Sequence, residues 1–439
     1  MASRRQQWGP YVVFALVVVL ASSAVAYDSL VVRPSGPRPP APPVLVEGTT
    51  PIQRVIVLMK ENHGFDNYFG TFPGVDGLPA NVTLPDGSGG SVAPHWLDAS
   101  STPDLPHDRA AMLQSYDNGL NDQFAVVSNQ AGLGLGNISM GYYDGRELPA
   151  TWTLARNFTI ADRYFASFMG PTLPNRLYSI AGQAPGVTSN SIPFGGIDMP
   201  TIFDQLQARG ITWRYYAFND FLNGALPLAI GHIAHNSTLA ANVVPMSRLV
   251  GDIAAGTFPS VTYIDPEGVL PADIAIDDHP PGDVSVGDAW TASIVGAIRA
   301  SSMWLRSAIL LTWDESGGFY DHVPPPQVDP AGYGFRVPML IISPYSKRGF
   351  VDQDVMDHTS ILKLIAVNWN LPMLTPREAN VSDMLSAFTF PSAPMSAGSS
   401  PLAGGGLARV LPTTHEGRTL ALIGTADPRR VKDVPVTWS

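Results

Sequence analysis

The stretch VIVLMKENHGFDNYFG, residues 55–70, joins a run of apolar residues directly to a cluster of polar ones. Its first half has the composition of a buried β-strand, which we predict over residues 54–59. Glu61, Asn62 and His63 then supply a carboxylate, an amide and an imidazole in succession. Polar turns also follow ordinary strands, so the rest of the chain has to decide between a turn and a functional site.

Further apolar, β-rich runs predict strands at 211–217, 260–265, 307–313 and 337–343. Between them, helical spacing of apolar residues predicts helices at 201–210 and 286–306. Several of these strands are apolar throughout, as is typical of strands covered on both faces. The alternation indicates an α/β layered fold with a mainly parallel sheet, in which ligands bind beyond the carboxyl ends of the strands.

The composition excludes several classes of function. The 439 residues carry a formal net charge of -11, which argues against nucleic acid as the main partner. The chain has no cysteine, which rules out disulfides, thiolate metal sites and cysteine nucleophiles. The sequence gives no basis for predicting the oligomeric state.

The chain divides into four predicted segments. Two arginines precede an apolar stretch ending in Ala24-Val25-Ala26, so residues 1–26 are predicted to be a signal peptide, with an uncleaved anchor as the alternative. Residues 27–50 form a Pro-rich linker, 51–390 a catalytic domain and 391–439 a tail whose docking stays open. We therefore expect a secreted or extracytoplasmic protein, or one anchored to the membrane by its N-terminal segment.

A second predicted strand also ends in acids. Strand 307–313 runs into Asp314 and Glu315, followed by Gly317, Gly318 and then His322. Adjacent residues on an extended backbone point to opposite faces, so the two acids can serve neighbouring sub-sites. The glycine pair permits a sharp turn that would bring His322 back towards the acids.

Acidic residues stand beside five of the nine histidines, at His107, His279, His322, His358 and His415. Imidazole next to carboxylate is typical of metal and acid–base sites, although surface His–Asp neighbours are also common. Three of these pairs lie near strand ends or Pro-rich turns, which favours a functional site. Apart from His63, which belongs to the polar cluster after the first strand, the other histidines are expected to be structural or on the surface: His95, His232, His235 and His415.

Thr172 is the candidate nucleophile. It lies between Gly170-Pro171 and Pro174, just before a predicted helix whose first N–H groups and dipole would favour an anion. Arg176, one helical turn further on, could bind phosphate or sulfate. An ordinary helix capped by a threonine remains the alternative on spacing alone.

Taken together, these stretches resemble the phosphoesterase family of bacterial phospholipases C and AcpA-type acid phosphatases, in the alkaline phosphatase superfamily. The matching segments span residues 54 to about 390 in the family's order: ENHGFDNYFGTFPGVDG, PHD, FMGPTLPNRLY, DDHPPGDVSVGD, WDESGGFYDHVPPP, RVPMLIISPYS and DHTSILKLI. The resemblance implies a three-layer α/β/α sandwich like that of alkaline phosphatase and a divalent metal ion whose identity stays open.

The resemblance also implies roles for single residues. The metal ligands would be Glu61, Asn62, Asp314 and the hydroxyl of Thr172, which would also be the nucleophile. The other catalytic residues would be His107, Asp278, His279, Glu315 and His322, and the substrate-binding residues Asn62, Asn175 and Arg176. Asp357 and His358 match a family motif without an assigned role. His63-Gly64 replaces the usual Arg-Ser, which removes a cation and a hydroxyl and could alter substrate preference.

The expected function is therefore metal-dependent hydrolysis of phosphate esters through a phosphothreonine intermediate, by an enzyme of either the acid phosphatase or the phospholipase C type, the second of which would act on phospholipid. We expect weaker action on intact bilayers than on dispersed lipid, because the chain is acidic and shows no basic amphipathic helix. An inert surface protein of the same fold is one alternative. A sulfatase is another, since TLPNR echoes its motif, but Thr172 cannot form the formylglycine that sulfatases require. Monoester and diester substrates both stay open.

Overall fold

The computed structural model describes residues 45–217, 225–266 and 276–391, together with Pro43. The predicted signal peptide or anchor, most of the predicted linker and the tail beyond residue 391 lie outside the described residues. Within the described ranges, none of the helices has the length and apolar character needed to cross a membrane.

An eight-stranded sheet forms the centre of the protein, in the order β8-β2-β7-β6-β1-β5-β3-β4. β7 is antiparallel to both of its neighbours and the other pairings are parallel. The strands are β1 Arg54–Lys60, β2 Thr159–Ala161, β3 Trp213–Ala217, β4 Val243–Pro245, β5 Val261–Ile264, β6 Ser307–Trp313, β7 Met339–Ile342 and β8 Phe350–Asp352. The predicted α/β class and mainly parallel sheet are confirmed.

β1 lies between β5 and β6 and runs parallel to both. Every residue of β1 and of β6 is buried, so both faces of the sheet are covered there. All five predicted strands are present. The sequence did not predict β2, β4 and β8, because three residues are too few for a recognisable pattern.

The helices connect these strands and cover the sheet. They are α1 Phe65–Phe69, α2 Arg109–Tyr116, α3 Phe124–Ala131, α4 Leu135–Ser139, α5 Pro149–Asn157, α6 Thr172–Ala181, α7 Ile202–Ala208, α8 Gly231–Ala234, α9 Ser237–Ala240, α10 Leu249–Ala255, α11 Val284–Ala300, α12 His358–Trp369 and α13 Pro376–Asn380. Helix α6 packs on α12, and α5 packs on α11. The helix predicted over 286–306 stops at Ala300, where Ser301 adopts an extended backbone.

Shorter elements complete the fold. The described residues include single 3₁₀ turns at Asp117–Gly119, Leu226–Ala229, Met246–Arg248, Trp304–Arg306 and Leu385–Ala387. Three two-stranded ribbons pair Leu84–Pro85 with Ser91–Val92, His95–Trp96 with Gly141–Tyr142, and Tyr164–Phe165 with Met356–Asp357. The last ribbon places the start of α12 beside the segment that leads into α6.

Candidate active site

Three acidic residues meet at the carboxyl edge of the sheet. Glu61 follows β1, Asp265 follows β5 and Asp314 follows β6, and all three side chains converge on Arg176 of α6. The Arg176 Nε donates to Asp314 Oδ2 at 3.1 Å, Nη1 lies 2.6 Å from Asp265 Oδ1, and Nη2 pairs with Glu61 Oε1. All four residues are buried. The guanidinium therefore connects the ends of three strands in one buried cluster of charged groups.

Thr172 is the first residue of α6, and Pro171 is its N-cap. The Thr172 Oγ1 donates to Glu61 Oε2 at 3.3 Å and does not cap its own helix. The alternative of an ordinary threonine N-cap is therefore wrong. The hydroxyl is nearly buried and faces the carboxylate that follows β1.

Asn175 holds the turn that leads into Thr172. Its Oδ1 accepts from Phe168 N at 2.8 Å, and its Nδ2 donates to Gly170 O at 2.8 Å, Pro171 O at 3.0 Å and Phe168 O at 3.1 Å. The amide is fully buried. These bonds engage both ends of the side chain, so the structure gives Asn175 a part in positioning Thr172; substrate contact stays a prediction.

Asn62 lies between the acids and the imidazoles. Its side-chain oxygen is 2.8 Å from Glu315 Oε1 and 3.1 Å from Glu61 Oε2, while its amide nitrogen is 3.0 Å from His279 Nε2 and 3.4 Å from His107 Nε2. The residue has a φ of 58°, a left-handed conformation that is uncommon outside glycine and often found at functional sites.

His107 and His279 are held in one tautomer by the backbone. The Nδ1 of His107 donates to Leu105 O and the Nδ1 of His279 to Pro280 O, each at 2.6 Å. When the rings are neutral, both Nε2 atoms therefore carry a lone pair directed at the Asn62 amide. The structure brings these two predicted catalytic residues together.

Glu315 is fully buried beside Asp314. Burial, reinforced by the charge of Asp314, raises the pKa of the Glu315 carboxyl well above its usual value. Gly317, with a φ of 63°, donates its N–H to Glu315 Oε2 at 2.7 Å. A Cβ at Gly317 would lie 2.0 Å from Asn62 O, so only glycine allows this close approach.

Asp278 forms a buried ion pair with Lys60. The Asp278 Oδ1 lies 2.6 Å from Lys60 Nζ, and Oδ2 accepts from Tyr68 OH and Trp313 Nε1, each at 3.1 Å. A Cβ at Gly287 of α11 would lie 1.7 Å from Asp278 Oδ1, so this pair needs a glycine there. The structure thus supports Asp278 as the anchor of the loop that carries His279; its predicted catalytic role stays a prediction.

His322 lies in a different cluster. Its Nδ1 is 2.6 Å from Asp66 Oδ2, its Nε2 is 3.2 Å from Asp76 Oδ1, and Arg336 pairs with Asp66 and Asp321 beside it. The glycine pair turns the chain as predicted, but the turn directs His322 to α1. The expected place of His322 beside Asp314 is not supported by any of these contacts.

His63, which replaces the family's usual arginine, lies behind the site. Its Nδ1 is 2.7 Å from Asn67 Oδ1, its Nε2 is 2.9 Å from Asp278 O, and its ring stacks on Phe319 at 5.1 Å. Burial lowers the pKa of the imidazole. The residue supports the loop of Asp278, and an effect on substrate preference stays a prediction.

Asp357 and His358 support neighbouring elements. The Asp357 carboxylate caps α12 and accepts from Ser167 Oγ at 2.8 Å. The His358 Nε2 donates to Asp314 O at 2.7 Å, and its Nδ1 accepts from Tyr164 OH at 2.9 Å. Burial lowers the pKa of His358 to about 4, so the ring is neutral at ordinary pH. It positions the backbone that carries Asp314.

The sequence analysis missed Lys60 and Asp265. A signal for Asp265 was present, because it ends the predicted strand 260–265 as Glu61 and Asp314 follow theirs. Lys60 gave no such signal, since its partner Asp278 lies more than two hundred positions away in sequence.

The donor set fits a divalent metal ion. When Glu315 and Glu61 are both ionised, the oxygen of Asn62 faces their carboxylate oxygens at 2.8 and 3.1 Å with no proton donor between them. Oxygens bound to one octahedral cation at about 2.1 Å are separated by about 3 Å, the spacing found here. Turning the amide over would supply donors to the carboxylates, but it would face the amide oxygen towards two imidazole lone pairs. Cation binding by Glu61, Asn62 and Glu315, with Thr172 alongside, removes that conflict.

A family model described as "Phosphoesterase family" matches residues 52–372 of the chain. The chain is 30% identical over 425 residues to "Phospholipase C A" of Mycobacterium tuberculosis, with 79% of each chain covered. It is 30% identical over 412 residues to "Non-hemolytic phospholipase C" of Pseudomonas aeruginosa, with 77% of this chain and 57% of that protein covered. A solved protein of the alkaline phosphatase superfamily from Vibrio parahaemolyticus is 12% identical, with a TM-score of 0.37 over 75% of this chain and 70% of that chain.

Proposed function

The chain belongs to the Phosphoesterase family, and on that premise we propose that it is a metal-dependent phosphodiesterase of the phospholipase C type. The family expected from the sequence is thereby confirmed, and the chain is a hydrolase of phosphoric ester bonds. The observation that carries the finer proposal is the contact between the Thr172 hydroxyl and Glu61 Oε2, at the edge where the acids and two imidazoles converge.

Thr172 is the proposed nucleophile. Its position at the start of α6 directs the hydroxyl to where the first N–H groups and the helix dipole favour an anionic phosphoryl group. The Thr172 oxygen would form a bond to phosphorus as the bond to the leaving alcohol breaks, which gives a phosphothreonine that still carries the second ester group of the diester. Water then displaces the threonine oxygen and releases the phosphate product. Asn175 supports this step by holding the turn before Thr172, and Arg176 supports it by binding the acidic residues at the strand ends.

Proton transfer is assigned to the two imidazoles. The lone pairs at Nε2 of His107 and His279 can accept a proton, and the resulting imidazolium can donate it to the leaving alkoxide. In the second step the same Nε2 atoms take the proton of the attacking water. The backbone bonds of both Nδ1 atoms keep the rings oriented throughout.

A divalent cation held by Glu61, Asn62, Glu315 and Thr172 would lower the pKa of the threonine hydroxyl and offset phosphoryl charge. Asp314 was also expected to be a ligand. Its Oδ1 accepts from the backbone N of Asn62 and Glu315, and its Oδ2 accepts from Arg176. These contacts support a positioning role for Asp314, while ligation by Asp314 stays a prediction.

The charges at the site favour a diester over a monoester. Lys60 and Arg176, its two buried cations, are each already paired with carboxylates. His63 stands where the family resemblance led us to expect an arginine. A diester phosphate has one negative charge and a monoester close to two, so a site rich in carboxylates repels the diester less. The names of the relatives, phospholipases C, point to the same substrate class.

We also propose that the protein is secreted or extracytoplasmic, from the N-terminal segment alone, with an uncleaved anchor as the alternative.

An inert protein of the same fold is the competing function. Purified protein should be assayed on bis-p-nitrophenyl phosphate, p-nitrophenyl phosphate and dispersed phosphatidylcholine, with and without divalent metal. We expect the diesters to have the higher kcat/KM. Preference for the monoester would contradict the diester assignment, and no turnover with any metal would favour the inert alternative.

A further inference from the structure

The loop that joins α6 to α7 presents two apolar side chains to solvent. Phe194 is fully exposed and Ile192 is 40% exposed. Isolated exposed apolar residues are ordinary in soluble proteins. The significance of this pair, here called the apolar tip, therefore depends on how it is held, where it lies and which charges surround it.

The apolar tip is part of a tight turn. The Gly196 N–H donates to Pro193 O at 2.9 Å, and Gly195 has a φ of 102°. This is the pattern of a type II turn, in which Phe194 occupies the second position at the outer corner. A Cβ added at Gly195 or Gly196 would meet no atom within 4 Å, so the turn projects into open space.

The loop is anchored on both sides of the tip. Val187 and Ile197 are buried in the main core, and Ile197 O accepts from Gly231 N at 2.8 Å. Burial of both flanking residues fixes where the chain leaves and re-enters the body of the protein. The tip is therefore carried on a supported loop, which limits the entropy lost when it inserts into a partner.

The apolar tip lies close to the proposed nucleophile. Asn190 Oδ1 accepts from the backbone N of Leu173 at 2.8 Å, and Leu173 directly follows Thr172. Phe194 is four positions after Asn190, a span of at most about 14 Å in an extended chain. The tip and the start of α6 therefore belong to the same region of the surface.

The loop segment that carries the tip is uncharged up to Asp198. Residues 183–197 include no aspartate, glutamate, lysine, arginine or histidine, while the chain as a whole carries -11. A neutral apolar tip on an acidic protein suits a zwitterionic surface, because an anionic one would repel the protein and gain no basic partner. Aromatic side chains such as phenylalanine insert readily at a lipid interface.

We propose that Ile192 and Phe194 dock the protein on a zwitterionic phospholipid surface and thereby present headgroup phosphodiesters to Thr172. This proposal rests on the proposed function, to which it adds aggregated lipid as the substrate. It revises the expectation of weak action on intact bilayers, which considered net charge and basic helices alone. Docking by the apolar tip needs neither a favourable net charge nor a basic helix.

The absence of cysteine from the sequence permits a site-specific test. Ser191→Cys, labelled with an environment-sensitive fluorophore, reports insertion beside the tip. Leu133→Cys, at a fully exposed residue of the loop between α3 and α4, is the matched control. Phosphatidylcholine vesicles should raise and blue-shift the emission at position 191 and leave position 133 unchanged. Adding Phe194→Ser should raise the lipid concentration for half-maximal signal about tenfold, as expected for loss of one inserted aromatic ring.

Three results would overturn docking by the tip: no response at position 191, an equal response at position 133, or a response unaffected by Phe194→Ser. A stronger response to vesicles containing phosphatidylglycerol would also overturn it, because binding would then be electrostatic. Turnover of soluble bis-p-nitrophenyl phosphate by the wild-type protein, measured without vesicles, reports separately on the proposed function. Turnover without a fluorescence response refutes docking alone, and a response without turnover refutes the proposed chemistry alone.

Discussion

Arg176 donates from Nε to Asp314 Oδ2 at 3.1 Å, and this bond links the helix of the proposed nucleophile to the strand end of β6. The same guanidinium contacts Glu61 and Asp265, so one cation offsets three buried carboxylates. Removing a buried cation leaves its carboxylate partners without a counter-charge, which commonly lowers the free energy of unfolding by about 3–5 kcal/mol. The bond is thus both a source of stability and a determinant of site geometry.

Arg176→Met should lower the free energy of unfolding by about 3–5 kcal/mol and reduce kcat strongly in the protein that remains folded. Urea unfolding and steady-state kinetics on a soluble diester measure the two effects. Arg214→Met is the matched control, because Arg214 pairs with Asp252 away from the strand ends that carry the acids. It should change stability modestly and kcat little. Nearly wild-type kcat in Arg176→Met would show that Arg176 does not position the acids.

Asn175→Asp should displace the turn before Thr172, since a carboxylate oxygen would replace the amide N–H groups facing three carbonyls. We expect a loss of at least about 2 kcal/mol in stability and a fall in kcat with little change in KM. Asn129→Asp alters a similarly bonded amide in α3, which contacts Asp86 O and the backbone N–H groups of Gly134 and Gly136. The control should lose stability without the specific fall in kcat. Equal kcat values in the two variants would remove Asn175 from the positioning role.

Glu61→Gln and Glu315→Gln should each lower the metal content of the purified protein, because a neutral amide replaces a carboxyl group that would be ionised when it binds a cation. Asp265→Asn is the control, since Asp265 contacts Arg176 outside that cluster of oxygens. Asp314→Asn discriminates between metal ligation and positioning, the two roles considered for Asp314. Metal analysis by mass spectrometry decides the matter, and unchanged metal content in both glutamate variants would refute the proposed ligand set.

The cluster of His322 predicts a specific dependence of stability on pH. Burial would lower the pKa of His322, but its hydrogen bond and attraction to Asp66 outweigh burial and raise the pKa to about 9. Because the folded pKa lies above the unfolded value of about 6.5, this stabilisation is complete below about pH 6.5 and is lost as the pH rises through about 9. The loss can reach roughly 3 kcal/mol, at about 1.4 kcal/mol per pKa unit.

Urea unfolding at several pH values between 6 and 10 tests this dependence against His322→Gln. The variant should be less stable than wild type near pH 6, and the difference should shrink as the pH rises. Two stability curves that stay parallel over the whole range would rule out a charged His322 in the native state.

The sequence predicted the framework because long apolar strands, such as β1 and β6, carry a strong local pattern. It also placed Glu61 and Asp314 correctly at the carboxyl ends of those strands. The contacts that side chains make across the sheet could not be predicted from the sequence. The bonds of Arg176 to three strand ends, the pair Lys60–Asp278 and the pairing of His322 with Asp66 all depend on which loops meet in the folded chain. The exposure of Phe194 likewise depends on burial of its flanking residues.

The central claim, that Thr172 becomes phosphorylated during turnover, has a direct test. Protein quenched in acid during steady-state hydrolysis of a soluble diester is digested and analysed by mass spectrometry. We predict, on the peptide of Thr172, a phosphoryl group that still carries the second ester group of the diester, retained with Thr172→Ser and lost together with turnover in Thr172→Val, which keeps the shape of the side chain without its hydroxyl. Turnover of Thr172→Val above about a tenth of the wild-type rate, or a phosphoryl group on another residue, would contradict the account.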